Sequence, residues 1–249
     1  MRFSLIGVLL VVFAAGGQAP PLHVAVGDSL AAGMGADPAG DGGFVSLLTD
    51  QNPTCDASPC SRLELVNLAS PGATSDVVVA TQLDRAVELI SAHHREGGEV
   101  ALLTVTVGGN DLFGSVFASC RRGPTEPCRQ AAAVAFTSYL ENLHRILGEL
   151  RSAAGPETPI VTMTLYNPFR ACLLADLAPA ADTVLEGGMS PVSGFNDLIR
   201  IVAGSHGATV VETGRLLDTS DFVGGLDCIH PNAAGHEKLA SAFAAALDG

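Results

Sequence analysis

Five short apolar segments alternate with segments of helical periodicity, and this alternation constrains the fold more than any other feature. The segments with strand character are 23–26, 63–68, 99–107, 159–165 and 208–212. The segments with helical character are 42–50, 74–95, 130–153, 192–203 and 233–247. Strands separated by helices predict βαβ crossovers, and therefore a parallel sheet. Segment 99–107 is a continuous apolar and β-branched run, which is typical of a strand buried on both faces.

No linker, internal repeat or block of charge divides the chain after its first residues, so residues 20–249 are predicted to form a single α/β domain. Segment 114–129 is expected to be an irregular insertion, and segment 166–191 a long loop containing a short helix. Hydrophobic residues make up 47% of the chain and charged residues 16%, a composition that can bury a core and excludes a disordered protein.

The net charge of −13 excludes two classes of partner. Nucleic-acid binding depends on Lys and Arg that neutralise phosphates, and docking to anionic membranes depends on the same cations. The chain has no Trp and only two Tyr, so it offers few aromatic side chains for stacking.

The N-terminal segment is predicted to be a signal peptide covering residues 1–19. Arg2 precedes an apolar run over 5–15, and small residues at 17 and 19 fit a signal-peptidase site. The run of about 11 residues is shorter than the roughly 20 that span a bilayer, so no stable membrane insertion is expected. The alternatives are a membrane anchor or a buried first helix. The prediction is a secreted protein.

The mature chain contains an even number of cysteines, which in a secreted protein predicts three disulfides. They are Cys55, Cys60, Cys120, Cys128, Cys172 and Cys228. Locality favours Cys55–Cys60 and Cys120–Cys128, which leaves Cys172–Cys228. The competing interpretation is a zinc site, but no histidine lies near the one pair with suitable spacing.

The turns after the first three predicted strands carry groups that could take part in catalysis. In an open parallel sheet, ligands bind beyond the carboxyl ends of the strands, so these turns are expected to converge. Ser29 can present a hydroxyl and a backbone N–H, Gly72 a bare backbone N–H, and Asn110 a side-chain amide. Each turn taken alone also fits a structural role: a helix N-cap serine, a turn glycine and a Gly-Asn turn.

Asp227 and His230 follow the last predicted strand, on a turn that is predicted to enter the closing helix. Their spacing can place a carboxylate against the imidazole and fix its tautomer. Taken alone, the pair also fits an exposed aspartate and a histidine at a helix N-terminus. Together with the three strand-end turns, however, it completes a nucleophile, a base, an orienting acid and oxyanion donors. That set is what acyl transfer requires.

These blocks resemble the GDSL or SGNH hydrolase family over residues 22–246. The blocks are GDSL at 27–30, the segment around Gly72, GGND at 108–111 and DCIH at 227–230. The resemblance implies a three-layer α/β/α sandwich with five parallel strands in the order 2-1-3-4-5. It implies Ser29 as nucleophile, His230 as general base and Asp227 as the residue that orients His230. It also implies an oxyanion hole made by the Ser29 and Gly72 N–H groups and the Asn110 side chain.

The resemblance extends to secreted bacterial esterases of this family, which have a segment similar to 165–169. The six cysteines, in three near-sequential pairs, resemble the actinobacterial branch. One departure is Cys228 inside the DCIH block. If Cys228 pairs with Cys172, it ties this turn to the loop after the fourth strand. The implied activity is hydrolysis of carboxylic esters through an acyl-enzyme, of the lipase or esterase type. The expected partner is a small-molecule or lipid ester, with no cofactor and no metal, and a monomer is expected.

Two alternatives stay open: a carbohydrate O-deacetylase, and a non-catalytic binding protein on the same fold. The lack of Trp weighs against a sugar-binding groove. Phe113, Phe117 and Phe195 are candidates for lining an acyl pocket, with core packing as the alternative. Asp28 and Asp111 are expected to hold turns, and His236 to pack against or cap the last helix.

Overall fold

The structure, a computed structural model, describes residues 19–37, 40–51, 62–171, 173–187 and 194–248. Its centre is a five-stranded sheet in the order β2-β1-β3-β4-β5, in which every neighbouring pair is parallel. The strands are β1 (Leu22–Gly27), β2 (Glu64–Asn67), β3 (Val100–Thr106), β4 (Ile160–Met163) and β5 (Thr209–Val211). The predicted sheet and its strand order are confirmed. The predicted signal peptide, apart from Ala19, lies outside the described residues.

The helices follow the predicted alternation. They are α1 (Phe44–Asp50), α2 (Ser75–Val77), α3 (Asp84–Arg95), α4 (Gly109–Phe113), α5 (Val116–Cys120), α6 (Glu126–Ala154), α7 (Ala178–Glu186), α8 (Phe195–Ser205) and α9 (Ala233–Leu247). A π-helical segment, Val78–Leu83, joins α2 to α3. The segment predicted as irregular at 114–129 contains α5 and the first turn of α6, which begins three residues after Gly123.

Apolar helix faces cover both sides of the sheet, and this produces three layers. On one side, α3, α6 and α8 bring Ile90, Leu143 and Ile199 into the core. On the other side, α1 and α9 contribute Phe44 and Phe243, whose rings are 4.8 Å apart. With both faces covered, the interior strand β1, between β2 and β3, is buried along its whole length. The carboxyl ends of the strands are therefore the part of the sheet that can meet a ligand.

The turn predicted around Asp227 is instead a β-hairpin. β6 (Phe222–Gly224) pairs antiparallel with β7 (Asp227–Pro231), and Gly224 lies opposite Asp227. The prediction of a simple turn was wrong because a three-residue strand that ends in glycine is too short to show alternation. The consequence is that Asp227 and His230 are held by a paired strand just before α9.

The predicted Cys120–Cys128 disulfide is present and connects the end of α5 to the start of α6. Cys228 is also disulfide-bonded. Because Cys55, Cys60 and Cys172 lie outside the described residues, the Cys55–Cys60 and Cys172–Cys228 pairs stay predictions. Within the described part of the chain, no helix combines the length and apolarity needed to cross a bilayer.

Candidate active site

The turn that carries Ser29 is held by contacts that require glycine at the end of β1. Gly27 has φ +152°, and a Cβ at this position would lie 2.2 Å from the Thr106 carbonyl oxygen. The side chain of Gln82, which is buried in the π-helical segment, binds Gly27 on both sides. The Gly27 N–H donates to Gln82 Oε1 at 2.8 Å, and Gln82 Nε2 donates to the Gly27 carbonyl at 2.8 Å. These bonds fix where the chain leaves the sheet and enters the Ser29 turn.

Ser29, His230 and Asp227 form a continuous hydrogen-bonded chain. His230 Nε2 lies 2.9 Å from Ser29 Oγ, and His230 Nδ1 lies 2.8 Å and 2.9 Å from the two Asp227 carboxylate oxygens. A carboxylate accepts only, so Nδ1 carries the proton and Nε2 is left to accept from the Ser29 hydroxyl. The His230 side chain is 14% exposed and the Asp227 side chain 38%. The pair therefore lies at the protein surface beside an accessible serine.

The hairpin strand β7 fixes the orientation of the imidazole. The His230 N–H donates to Asp227 at 3.3 Å, in addition to the ring contact. The Tyr166 hydroxyl, from the loop after β4, donates to the carbonyl of Ile229 at 3.1 Å. Asn232 caps α9 directly after β7, accepting from the Gly235 N–H. Bonds on both sides of His230 thus restrain the backbone that positions its ring.

The two further oxyanion candidates come from the ends of β2 and β3. Gly72 is exposed with φ +79°, and a Cβ there would meet no atom within 4 Å, so its conformation rather than crowding calls for glycine. Asn110, in α4, donates one amide hydrogen to the Ala73 carbonyl at 3.0 Å. In the described part of the chain, the backbone N–H groups of Ser29 and Gly72 donate to no protein acceptor. These donors are free to bind a ligand oxygen.

One buried and one partly buried carboxylate lie beside the candidate catalytic residues and hold turns, as the sequence predicts. Asp28 accepts from the Leu30 N–H at 3.0 Å, and burial raises the pKa of Asp28 to about 7. Asp111 accepts from both the backbone N–H and the hydroxyl of Ser75. Burial raises the pKa of Asp111, while the hydrogen bonds from Ser75 lower it.

A largely apolar pocket opens next to Ser29 and His230. The side chains that give it its apolar character are Leu112, Phe113, Phe117, Met163, Leu165, Pro168, Leu185 and Ile229. Of the three candidate phenylalanines, Phe113 and Phe117 line this pocket. Phe195 is fully buried against Phe136 and Tyr139, at ring-centroid distances of 5.1 Å and 4.3 Å, and belongs to the core.

Some residues of the site were not identified in the sequence. Among the aliphatic side chains of the pocket, Leu112 follows β3 and Leu165 follows β4, so position at the end of a predicted strand was the available signal for these two. Gln82 had no such signal, because it lies on a helical segment 55 positions from Gly27.

His236, as expected, packs in α9, where it accepts from the Phe44 N–H and donates to the Met34 carbonyl. Among the described residues, no group of three or more His, Cys, Asp or Glu side chains could hold a metal ion.

Solved structures with the same fold include several ester hydrolases. A lipase from a goat rumen metagenome superposes with a TM-score of 0.64 at 20% identity, covering 91% of this chain and 97% of that chain. An acetylxylan esterase from Geobacillus stearothermophilus gives 0.62 at 16% identity, with coverage of 94% and 96%. Phospholipase A1 from Streptomyces albidoflavus gives 0.61 at 19% identity, with coverage of 92% and 99%. At these identities the likeness establishes the fold alone.

A comparison with curated protein sequences finds no match. The profile of the GDSL-like lipase/acylhydrolase family, in contrast, matches residues 25–238. This range contains every strand of the sheet except the first half of β1, and it contains all four sequence blocks described above. The chain is therefore a member of the GDSL-like lipase/acylhydrolase family.

Proposed function

We propose that this protein is a secreted serine esterase that hydrolyses carboxylic esters through an acyl-enzyme. Membership of the family supports ester hydrolysis in general. The observation that carries the specific mechanism is the chain from Ser29 Oγ through both nitrogens of His230 to Asp227, with contacts of 2.8–2.9 Å. In this proposal Ser29 is the nucleophile, His230 the general base and Asp227 the group that orients and charge-stabilises His230.

The first step forms a bond between Ser29 Oγ and the ester carbonyl carbon while the serine proton moves to His230 Nε2. The tetrahedral intermediate then collapses, the bond to the alcohol oxygen breaks, and His230 returns the proton to the leaving alcohol. Water repeats the sequence on the acyl-enzyme and releases the carboxylic acid. Asp227 stays ionised throughout and stabilises the imidazolium that forms twice in each cycle.

The oxyanion of each intermediate is assigned to the donors around Ser29. The Ser29 and Gly72 N–H groups have no protein acceptor among the described residues, and the Asn110 amide has a second hydrogen beyond the one bound to Ala73. Preorganised donors of this kind stabilise charge that develops mainly in the transition state.

The apolar pocket beside Ser29 is assigned to the acyl chain. Phe113, Phe117 and Leu185 offer it carbon surface rather than hydrogen-bonding groups. Burying one CH₂ group contributes about 0.8 kcal/mol, or roughly fourfold in kcat/KM when the contact persists in the transition state. A chain longer than acetyl is therefore the favoured acyl group.

A carbohydrate O-deacetylase is the second candidate, because an acetylxylan esterase is among the proteins that share the fold. The two candidates differ in their dependence on acyl length. A deacetylase would process acetyl esters best and lose rate as the chain lengthens, whereas the assigned pocket predicts the opposite trend up to its capacity.

Secretion is part of the proposal. Its support is the N-terminal apolar segment with its small-residue site, together with the Cys120–Cys128 disulfide and the disulfide-bonded Cys228. Disulfides persist in oxidising compartments and are rare in the cytosol. Expression of the full chain, followed by N-terminal sequencing of the protein found in the medium, tests this assignment.

The test of the mechanism is a set of chromogenic esters from acetate to decanoate with wild-type protein, Ser29→Ala and His230→Ala. We expect kcat/KM to rise with acyl length in the wild type and to fall at least about 10³-fold in either variant, because each loses a member of the proton-transfer unit. Unchanged circular dichroism is the control for folding. Turnover above a few per cent of wild type in Ser29→Ala would contradict the nucleophile assignment.

A further inference from the structure

The segments that carry Gly72 and Asn110 are joined by side-chain contacts at two points. Asn110 donates to the Ala73 carbonyl at 3.0 Å. The neighbouring Asp111 places its carboxylate over the first residue of α2, where its two oxygens lie 3.1 Å and 3.0 Å from the Ser75 backbone nitrogen. The same carboxylate accepts from the Ser75 hydroxyl. The turn after β2 is thus bound to the turn after β3 through consecutive residues.

Gly72 depends on these contacts because it has few of its own. It has no side chain, it is exposed, and a Cβ there would have no neighbour within 4 Å. The direction of its N–H is therefore set by its neighbours in the chain, which are Ser70 before it, whose N–H donates to the Gly27 carbonyl at 3.1 Å, and the residues that follow it. Ala73 and Ser75 are both buried, and both are bound by the Asn110–Asp111 pair.

The Ser75 hydroxyl is oriented so that its proton points at Asp111. Asn142 Nδ2, on α6, donates to Ser75 Oγ at 3.0 Å, so the hydroxyl accepts from Asn142 and donates to Asp111. A carboxylate can accept from the Ser75 N–H and O–H together, since it has two oxygens and no donor. An amide has one oxygen and turns an NH₂ group toward one of these donors. The Asp111 carboxylate is thus better suited than an amide to bind the N–H and the O–H of Ser75 at once.

We propose that Asp111 is a positioning residue that keeps the Gly72 N–H and the Asn110 amide in one geometry by holding Ser75. The inference rests on the proposed function, because the geometry matters only if these donors bind an oxyanion. Asp111 does not touch the reacting atoms. It acts through the backbone around Gly72 and through its neighbour Asn110, so its loss should affect the transition state more than the bound ester.

The test compares Asp111→Asn and Ser75→Ala with the matched control Asp84→Asn. Asp84 is an exposed carboxylate in the first turn of α3, and in the described part of the chain it makes no hydrogen bond with Ser75, Asn142 or Asp111. We expect kcat, per folded protein, to fall at least about tenfold in the first two variants with KM within about twofold, since removing one oxyanion donor outright costs about 10²–10³. Asp84→Asn should keep the wild-type kcat.

A double variant separates positioning from general stability. If Asp111 acts through the oxyanion donors, Asp111→Asn should cost less in an Asn110→Ala background than in the wild type, because both changes disturb the same site. If Asp111→Asn does not fold, Ser75→Ala carries the comparison, because it removes only the hydroxyl. Equal kcat in wild type, Asp111→Asn and Ser75→Ala, or full additivity with Asn110→Ala, would overturn the inference alone. A wild-type protein without esterase activity would overturn it together with the proposed function.

Discussion

The side chain of Asn110 has two tasks that a single amide can meet at once. One hydrogen is bound to the Ala73 carbonyl at 3.0 Å, which fixes the amide plane. A fixed plane also fixes the direction of the second hydrogen, and such preorganisation is what makes an oxyanion donor effective. The bond to Ala73 therefore supports the proposed catalytic role of Asn110.

Replacing Asn110 by alanine should lower kcat by about 10²–10³, the usual cost of one oxyanion donor. KM should change less, because the charge that the amide stabilises exists mainly in the transition state. Steady-state kinetics on one ester give both values, and circular dichroism controls for folding. An effect confined to KM would mean that Asn110 binds the substrate rather than the oxyanion.

Sequence reasoning identified the residues of the candidate site more readily than the contacts that hold them. Each candidate residue follows a predicted strand, and the carboxyl ends of parallel strands converge at one edge of a sheet. These residues are Ser29, Gly72, Asn110 and the Asp227/His230 pair. The bond between Asp111 in α4 and Ser75 in α2 joins positions 36 apart in the chain. No local pattern encodes such a pair, because its geometry exists only after the sheet has assembled.

The β6–β7 hairpin shows the same limit in a structural element. β7 carries both Asp227 and His230, yet its partner β6 is only three residues long. Gly224, which ends β6, and Gly225, in the two-residue connection to β7, have φ +84° and +66°. Two consecutive glycines indicate a turn when the sequence is read alone. The antiparallel pairing, in contrast, is supported by side chains distant in the sequence, such as Tyr166, whose ring lies 5.5 Å from that of Phe222.

The α5–α6 corner combines a disulfide with part of the proposed acyl pocket. Phe117 lies on α5, and its ring contacts Phe169 at a centroid distance of 5.1 Å. Cys120 ends the same helix and is bound to Cys128 in α6. The disulfide closes a short loop, and restricting such a loop in the unfolded chain stabilises the folded state by about 2–3 kcal/mol.

Replacing both Cys120 and Cys128 by serine should therefore lower the free energy of unfolding by about 2–3 kcal/mol in urea titrations. If the disulfide also holds Phe117 against the acyl chain, kcat/KM for decanoate should fall more than kcat/KM for acetate. Ser119→Ala, on the same helix, is the matched control for both measurements. An equal loss of kcat/KM for the two esters would show that the disulfide does not hold Phe117 in place for the acyl chain.

The parallel sheet was predictable because strand and helix periodicities differ and repeat in order along the chain, whereas the strand order was implied by the resemblance to the hydrolase family. What the patterns did not reveal is the titration behaviour of the buried interior. His23 lies on β1, fully buried, with its ring between the hydroxyls of Thr49 and Thr104 at 2.8 Å and 3.0 Å. Burial lowers the pKa of His23 to about 3, whereas burial raises the pKa of Asp28 to about 7.

These two groups act on stability in opposite directions over the same pH range. Below pH 6.5, the usual value for histidine, the unfolded chain protonates His23 while the folded protein does not, so stability falls as the pH drops toward 3. Above pH 3.8, the usual value for aspartate, the unfolded chain loses the Asp28 proton while the folded protein keeps it until about pH 7. Stability therefore falls as the pH rises through that window. Each of these protons changes the free energy of unfolding by at most about 1.4 kcal/mol per pH unit.

Single variants should separate the two contributions that partly cancel in the wild type. His23→Gln should gain stability relative to the wild type as the pH falls from 6.5 toward 4, because it removes the group that the unfolded chain protonates. Asp28→Asn should gain stability relative to the wild type as the pH rises from 4 to 7, because it removes the group that the unfolded chain ionises. Urea unfolding of the three proteins across this range measures both differences, and differences independent of pH would contradict the assigned pKa shifts. Opposite slopes for the two variants would show that a buried histidine near the start of β1 and a buried carboxylate directly after its end change the pH dependence of folding stability in opposite directions.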